Sequence, residues 1–188
     1  MRTTMSVPMS LFGAAAMLLC TACRADAPPS SVWKKHEYSF VAMGFTSTYS
    51  CDGLADKLRT LLLAAGARSD AKVRPGACPG GFGQPEKMAR AQLTFHTLEP
   101  APDTAAESER VKAEWKPVAF GIDKPRQLGR GDCELVEQFA TGVLPMFSTR
   151  NLVNHTSCVP HQNSGSHIDV RFESLSAPKA AAKAKNPD

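Results

Sequence analysis

This chain of 188 residues has no dense run of like charge, no second long apolar stretch and no catalytic signature, and each absence excludes something. The net charge is a mild +4, and Arg2 and the tail lysines Lys179, Lys183 and Lys185 account for much of it. Without a basic stripe there is no electrostatic footprint for nucleic acid. Beyond residue 19 no apolar run is long enough to cross a bilayer as a helix, so no transmembrane span is expected. There is no phosphate loop, dinucleotide fingerprint, H-E-x-x-H, calcium loop or G-x-S-x-G elbow, and hence no expected cofactor or catalytic residue. Outside the leader the cysteines form no C-x-x-C pair, which removes the usual dithiol redox motif. What remains is an apolar share of 43%, enough for one real core.

Residues 1–27 read as an export leader. Arg2 supplies a positive start, residues 7–19 form an apolar stretch too short to span a membrane, and small residues follow, with cleavage expected near 22–27. The run Leu19-Cys20-Thr21-Ala22-Cys23 resembles a bacterial lipobox with Cys23 as the lipidated residue, although Cys20 stands where a leucine is usual. The expected address is periplasmic or secreted, with a membrane tether if Cys23 is acylated.

Export decides how the cysteines are read. Of six, Cys20 lies in the leader and Cys23 at or near the cut; Cys51, Cys78, Cys133 and Cys158 remain. An even number in an oxidising compartment implies disulfides, and four cysteines allow three pairings. The pairing Cys51–Cys78 with Cys133–Cys158 is favoured because the chain echoes itself around these positions.

The echo runs as follows. After a loose lead-in at 28–36, a first unit at 37–98 reads strand (38–45), helix (about 52–65), short strand (71–74), loop (79–85) and strand (89–98). Leu54, Leu58, Leu61, Leu62 and Ala65 share one helical face, Ser50 or Thr48 is placed to cap its start, and Gly66 its end. A linker rich in proline, alanine and charge occupies 99–114. A second unit at 115–175 repeats the order: strand (115–122), helix from Cys133 with Asp132 as N-cap and Leu135, Val136, Phe139, Ala140, Val143 and Leu144 inward, short strand (151–154), loop (159–166) and strand (167–175). Residues 176–188 are an Ala/Lys/Pro tail expected to be disordered. The cysteines lie 27 positions apart in the first unit and 25 in the second. The inward residues Ala91, Leu93 and Phe95 match Ile168, Val170 and Phe172, and Leu98 matches Leu175. The expectation is an α+β fold: two pseudo-repeated βαββ units forming a mostly antiparallel sheet with two helices on one face.

Candidate functional residues are few. His155, His161 and His167 match no short zinc spacing, so no metal site is expected and surface histidines of an ordinary domain are the simpler account. Ser164, Ser166, His167 and Asp169 are sequence neighbours, and neighbours on alternating strand positions do not form a triad. The outward faces of the matched strands carry Arg90, Gln92, Thr94 and His96, and His167, Asp169, Arg171 and Glu173. They read either as the solvated side of a sheet or as a polar recognition surface for another envelope component. The loops after the second cysteines, with His161 and Gln162, are a second candidate surface. Three functions follow: a non-enzymatic envelope protein, binding or structural, with an unidentified envelope partner; a small exported hydrolase or metal-dependent enzyme using His96 or His161 and His167; and a periplasmic binder of a small ligand.

Overall fold

A computed structural model describes residues 30–77, 83–162 and 164–178. It is an α+β fold with two helices and two antiparallel sheets. The first half contributes β1 (Ser30–Met43), α1 (Cys51–Ala64), β2 (Lys72–Pro75) and β3 (Met88–Pro100). The second contributes β4 (Val111–Lys112), β5 (Glu114–Gly121), α2 (Cys133–Gly142), β6 (Thr149–Asn154) and β7 (Asp169–Ser176). Sheet order is β2-β3-β1-β4 in one sheet and β5-β7-β6 in the other. In both, the last long strand of its half sits at the centre, flanked antiparallel by the two before it.

The helix α1 forms where the spacing of its leucines predicts it. Ser50 is the cap: its Oγ accepts the Gly53 N–H at 3.1 Å. Leu54, Leu58, Leu61 and Leu62 are fully buried, each burial contributing about 1.5–3 kcal/mol against about 1 kcal/mol for a cap. Packing therefore holds the helix, and the cap only sets where it begins. At the other end Gly66 adopts φ +101, and the Gly66 and Ala67 N–H groups return to Leu63 and Leu62 carbonyls, closing a Schellman turn. A side chain at Gly66 would also strike the Ser176 hydroxyl, its nearest neighbour at 2.4 Å. Close by, the Ser174 hydroxyl donates to the Ala65 carbonyl, so a first-half helix end is satisfied by a second-half strand.

Three boundaries differ from the sequence expectation. The strand β1 begins at Ser30, inside the stretch expected to be a loose lead-in, and contains His36. Its charges hid it: Lys34 pairs across to Glu99 at 2.8 Å and His36 bonds Thr97 at 2.8 Å, both on β3. The expected linker is also partly structured. Pro100 ends β3, β4 pairs with Ser30 and Ser31, and Glu114 opens β5. The chain switches sheets at Ala113, which is buried beside Leu98 and Leu175. That switch is why the strands divide between two sheets instead of joining in the single one expected. Lastly, β7 starts at Asp169 and runs through Ser176, so His167 lies ahead of it, bridged to Ser157.

One core serves both halves. Phe40, Leu93 and Phe95 belong to the same buried cluster as the α1 leucines, Val136, Phe139, Val170 and Phe172. Phe95 stacks on Phe147 at 5.6 Å, and Phe120 meets Phe139 and Phe172 edge-on. The expected inward residues of both helices and of β3 and β7 are buried, apart from Ala140, which is half-buried.

The Cys133–Cys158 bridge is formed, with S–S 2.03 Å. Cys51 is buried and disulfide-bonded, and its expected partner Cys78 lies outside the described residues, as do Cys23 and the leader. Closing a 25-residue separation by a disulfide contributes about 3–4 kcal/mol in the chain-entropy account. The double variant Cys133→Ser/Cys158→Ser is expected to lose about that much in urea unfolding. A loss under 1 kcal/mol would show that the bridge merely decorates a loop already fixed by packing.

The residues on either side of Cys133 join the halves. Asp132 is 5% exposed, and Lys57 of α1 donates to its Oδ2 at 2.7 Å. The Tyr49 hydroxyl donates to its Oδ1 at 2.9 Å, and the Gly129 N–H to Oδ2 at 2.6 Å. The expected cap is thus corrected in detail: Asp132 occupies the N-cap position, but its carboxylate turns to Tyr49, Lys57 and the preceding turn rather than to α2. Burial first, and then this carboxylate, push the Tyr49 phenol well above its ordinary pKa. Asp132→Ala leaves Lys57 and Tyr49 without that partner, and a loss of about 3–5 kcal/mol is expected in chemical denaturation. Tyr49→Phe, which removes one donor, is expected to cost less, about 1–3 kcal/mol; equal losses would contradict the ion pair as the larger contribution.

Candidate functional site

The turn after β1 is held open to solvent by α2. Glu134, 8% exposed, accepts the Phe45 N–H at 2.7 Å, the Thr46 N–H at 3.1 Å and the Thr46 hydroxyl at 3.1 Å. One turn further along the helix, Gln138 makes a two-way clasp with Met43: it accepts the Met43 N–H at 3.0 Å and donates to the Met43 carbonyl at 2.9 Å. With backbone 43–46 fixed this way, the side chains have few places to go. Met43 is 52% exposed and Phe45 63%; on the facing strand Met88 is 50% exposed.

These three side chains line one cleft. Met43 and Met88 are direct partners in the antiparallel β1–β3 register. Phe45 packs edge-on against His161, centroids 6.0 Å apart. Together with Gly44 and Lys87 they enclose about 580 Å³. The volume lies within the range of small-ligand sites, and the lining is mostly apolar with a few polar groups, as such sites are. His161 sits at φ +63 in a turn closed by the Gln162 N–H to the Val159 carbonyl. Its ring nitrogens have no hydrogen-bond partner among the described residues.

The residues expected from sequence fall into separate places. Arg90, Gln92 and His96 lie on β3, facing away from the core. Gln92 donates to the Ser39 hydroxyl at 2.9 Å. His96 is held in a cluster: Arg68 lies 3.0 Å from its Nδ1, clamps Asp70 with two bonds and stands over the Trp33 ring. Arg68 holds the Asp70 carboxyl below its usual range. Asp169 and Arg171 form their own bidentate pair at 2.7 and 2.6 Å, with His155 3.5 Å away. His167 is exposed ahead of that strand. Gln162 shares its turn with His161 but does not line the cleft. Of all the residues singled out, only His161 meets the apolar rim. Met43, Phe45, Lys87 and Met88 escaped notice because an exposed methionine in a strand pattern looks like core.

The buried Ser166 hydroxyl is spent on the Gln162 carbonyl and the Val159 N–H. The sulfur at the start of α2 is in a disulfide and supplies no thiolate. Among the described residues no group of three or more His, Cys, Asp or Glu is arranged to hold a metal. No helix among them is long and apolar enough to cross a membrane. Comparison with known proteins returns no match among protein families, curated proteins or solved structures.

Arg171 is the main reason that the Asp169 carboxyl falls from 3.8 to about 2. A depressed folded pKa means that the pair's contribution is complete above the ordinary Asp value near 4 and fades as pH falls through about 2. A carboxyl NMR titration is expected to find Asp169 still ionised at pH 3 (an unpaired Asp would be mostly protonated there). Arg171→Ala should return its midpoint toward 4. An unchanged midpoint in that variant would show the depression comes from elsewhere.

Proposed function

We propose that this is an exported bacterial envelope protein with a non-enzymatic binding role, built from a duplicated βαββ unit stapled by two disulfides. The cleft rimmed by Met43, Phe45, Met88 and His161 is its binding site. The observation that carries this is the presentation of three large apolar side chains to solvent, two of them on backbone pinned by Glu134 and Gln138. Glu134 and Gln138 spend their polar groups on holding the rim backbone, where a mobile loop could fold its apolar groups inward. A binding surface fixed before its ligand arrives avoids the ordering cost of association. The export leader and disulfides set the compartment, and acylation at Cys23 would tether the protein there.

The test is NMR mapping with small apolar probes, isopropanol and phenol. Shifts are expected to gather at 43–45, 88 and 161, and to shrink several-fold in Phe45→Ala. Probe shifts scattered over the surface, or ester hydrolysis abolished by His161→Ala, would overturn the reading.

A further inference from the structure

We infer that the ligand of this cleft is a soft monovalent metal ion, Cu(I) or Ag(I), taken by the thioethers of Met43 and Met88 and the imidazole of His161. The inference rests on the cleft being the binding site, and goes further by naming what binds there.

Three observations carry it. The first is register. Met43 and Met88 are directly opposed on antiparallel strands, where paired Cβ atoms stand about 4.5–5.5 Å apart on the same face. A methionine has three rotatable side-chain bonds, so both sulfurs can close on one ion between them. Both line the same cleft as His161. The second is the choice of residue. The described chain has three methionines, Met43, Met88 and Met146, and only Met146 packs against the main core. The two exposed ones face each other. An apolar rim needs no sulfur; leucine or valine would serve.

The third observation is the donor set. Thioether sulfur and imidazole nitrogen suit Cu(I), while Ca²⁺ and Mg²⁺ require oxygen ligands. The nearby carboxylate, Glu134, already accepts three hydrogen bonds from Phe45 and Thr46. Lys87 brings a positive charge to the cleft, which opposes a divalent cation more than a monovalent one. The compartment adds a reason for thioethers. Cys51, Cys133 and Cys158 are disulfide-bonded and offer no thiolate, whereas a thioether keeps its lone pairs in that state. Binding is simple ligation: no electron is transferred, and the thioethers have no proton to release.

The test uses the full chain recovered from the envelope of an expressing bacterium, with disulfides intact. Ag(I) is the probe, because it needs no reductant, in nitrate buffer free of chloride. One Ag(I) per chain is expected by native mass spectrometry, together with shifts of the Met43 and Met88 ε-methyl resonances. Zn(II) and Ca(II) should leave those methyls unmoved. In Met43→Leu/Met88→Leu, a swap that keeps volume and apolar character, Ag(I) affinity should fall by more than the roughly 10–100-fold typical of changes behind the ligands. His161→Gln should weaken it as well. Phenol binding should survive in the leucine variant, which separates loss of the metal site from loss of the cleft. Stoichiometric Ag(I) retained by that variant, or wild-type protein that takes up none, would overturn the proposal while leaving the cleft's binding role standing.

Discussion

The relation between the two halves of this fold rests on a three-residue stretch, Asp132-Cys133-Glu134. Two buried carboxylates on either side of a bridged cysteine receive donors from the other half of the chain. Asp132 takes Lys57 and Tyr49, and Glu134 takes Phe45 and Thr46. The sulfur between them fixes the same point to Cys158. A buried charge is costly unless it is fully paired, so these partners are obligatory. The start of α2 is thereby tied to the turn after β1, to α1 and to the loop ahead of β7. The apolar core shared by the halves supplies the bulk of the stability, but an apolar core is tolerant of sliding. The carboxylates are not, because their donors stand at fixed positions. Core and carboxylates have different tasks: one gathers the halves and the other sets their relation.

The exposed rim follows from that constraint. Glu134 holds Phe45 and Thr46 by their backbone, and Gln138 holds Met43 by both of its backbone groups. Side chains above a pinned backbone cannot retreat into the core. The residues that set the halves together therefore also display Met43 and Phe45 to solvent. This part of the rim and the joining of the halves share one cause.

The halves interlock in both directions. The end of α1 docks on β7 through Ser174 and Gly66, and α2 leans on β1, where Gly142 comes within reach of the Tyr38 hydroxyl. A side chain at Gly142 would meet that oxygen at 2.6 Å. Each helix thus touches a strand of the other half, and the buried residues of both halves join in one cluster. The small cluster of Leu98, Ala113 and Leu175 marks where the chain changes sheets and closes the arrangement.

Local pattern was enough for the class of fold, both helices with their buried faces, the end of α1 at Gly66 and the inward residues of β3 and β7. All of these are local signals, most of them written every two or every three to four residues, and they need no knowledge of distant partners. The choice of Ser50 over Thr48 as the cap of α1 came from the structure. The charged start of β1 was illegible because Lys34 and His36 find Glu99 and Thr97 far along the chain. The two sheets were illegible because the switch at Ala113 depends on what surrounds it. The site was mostly hidden as well. Only His161 stood out, since an imidazole advertises chemistry and a methionine does not. Tertiary structure alone decided that Met43 and Met88 face each other beside it. Exposure is settled by which helix lies under the turn, and no pattern within a strand records that.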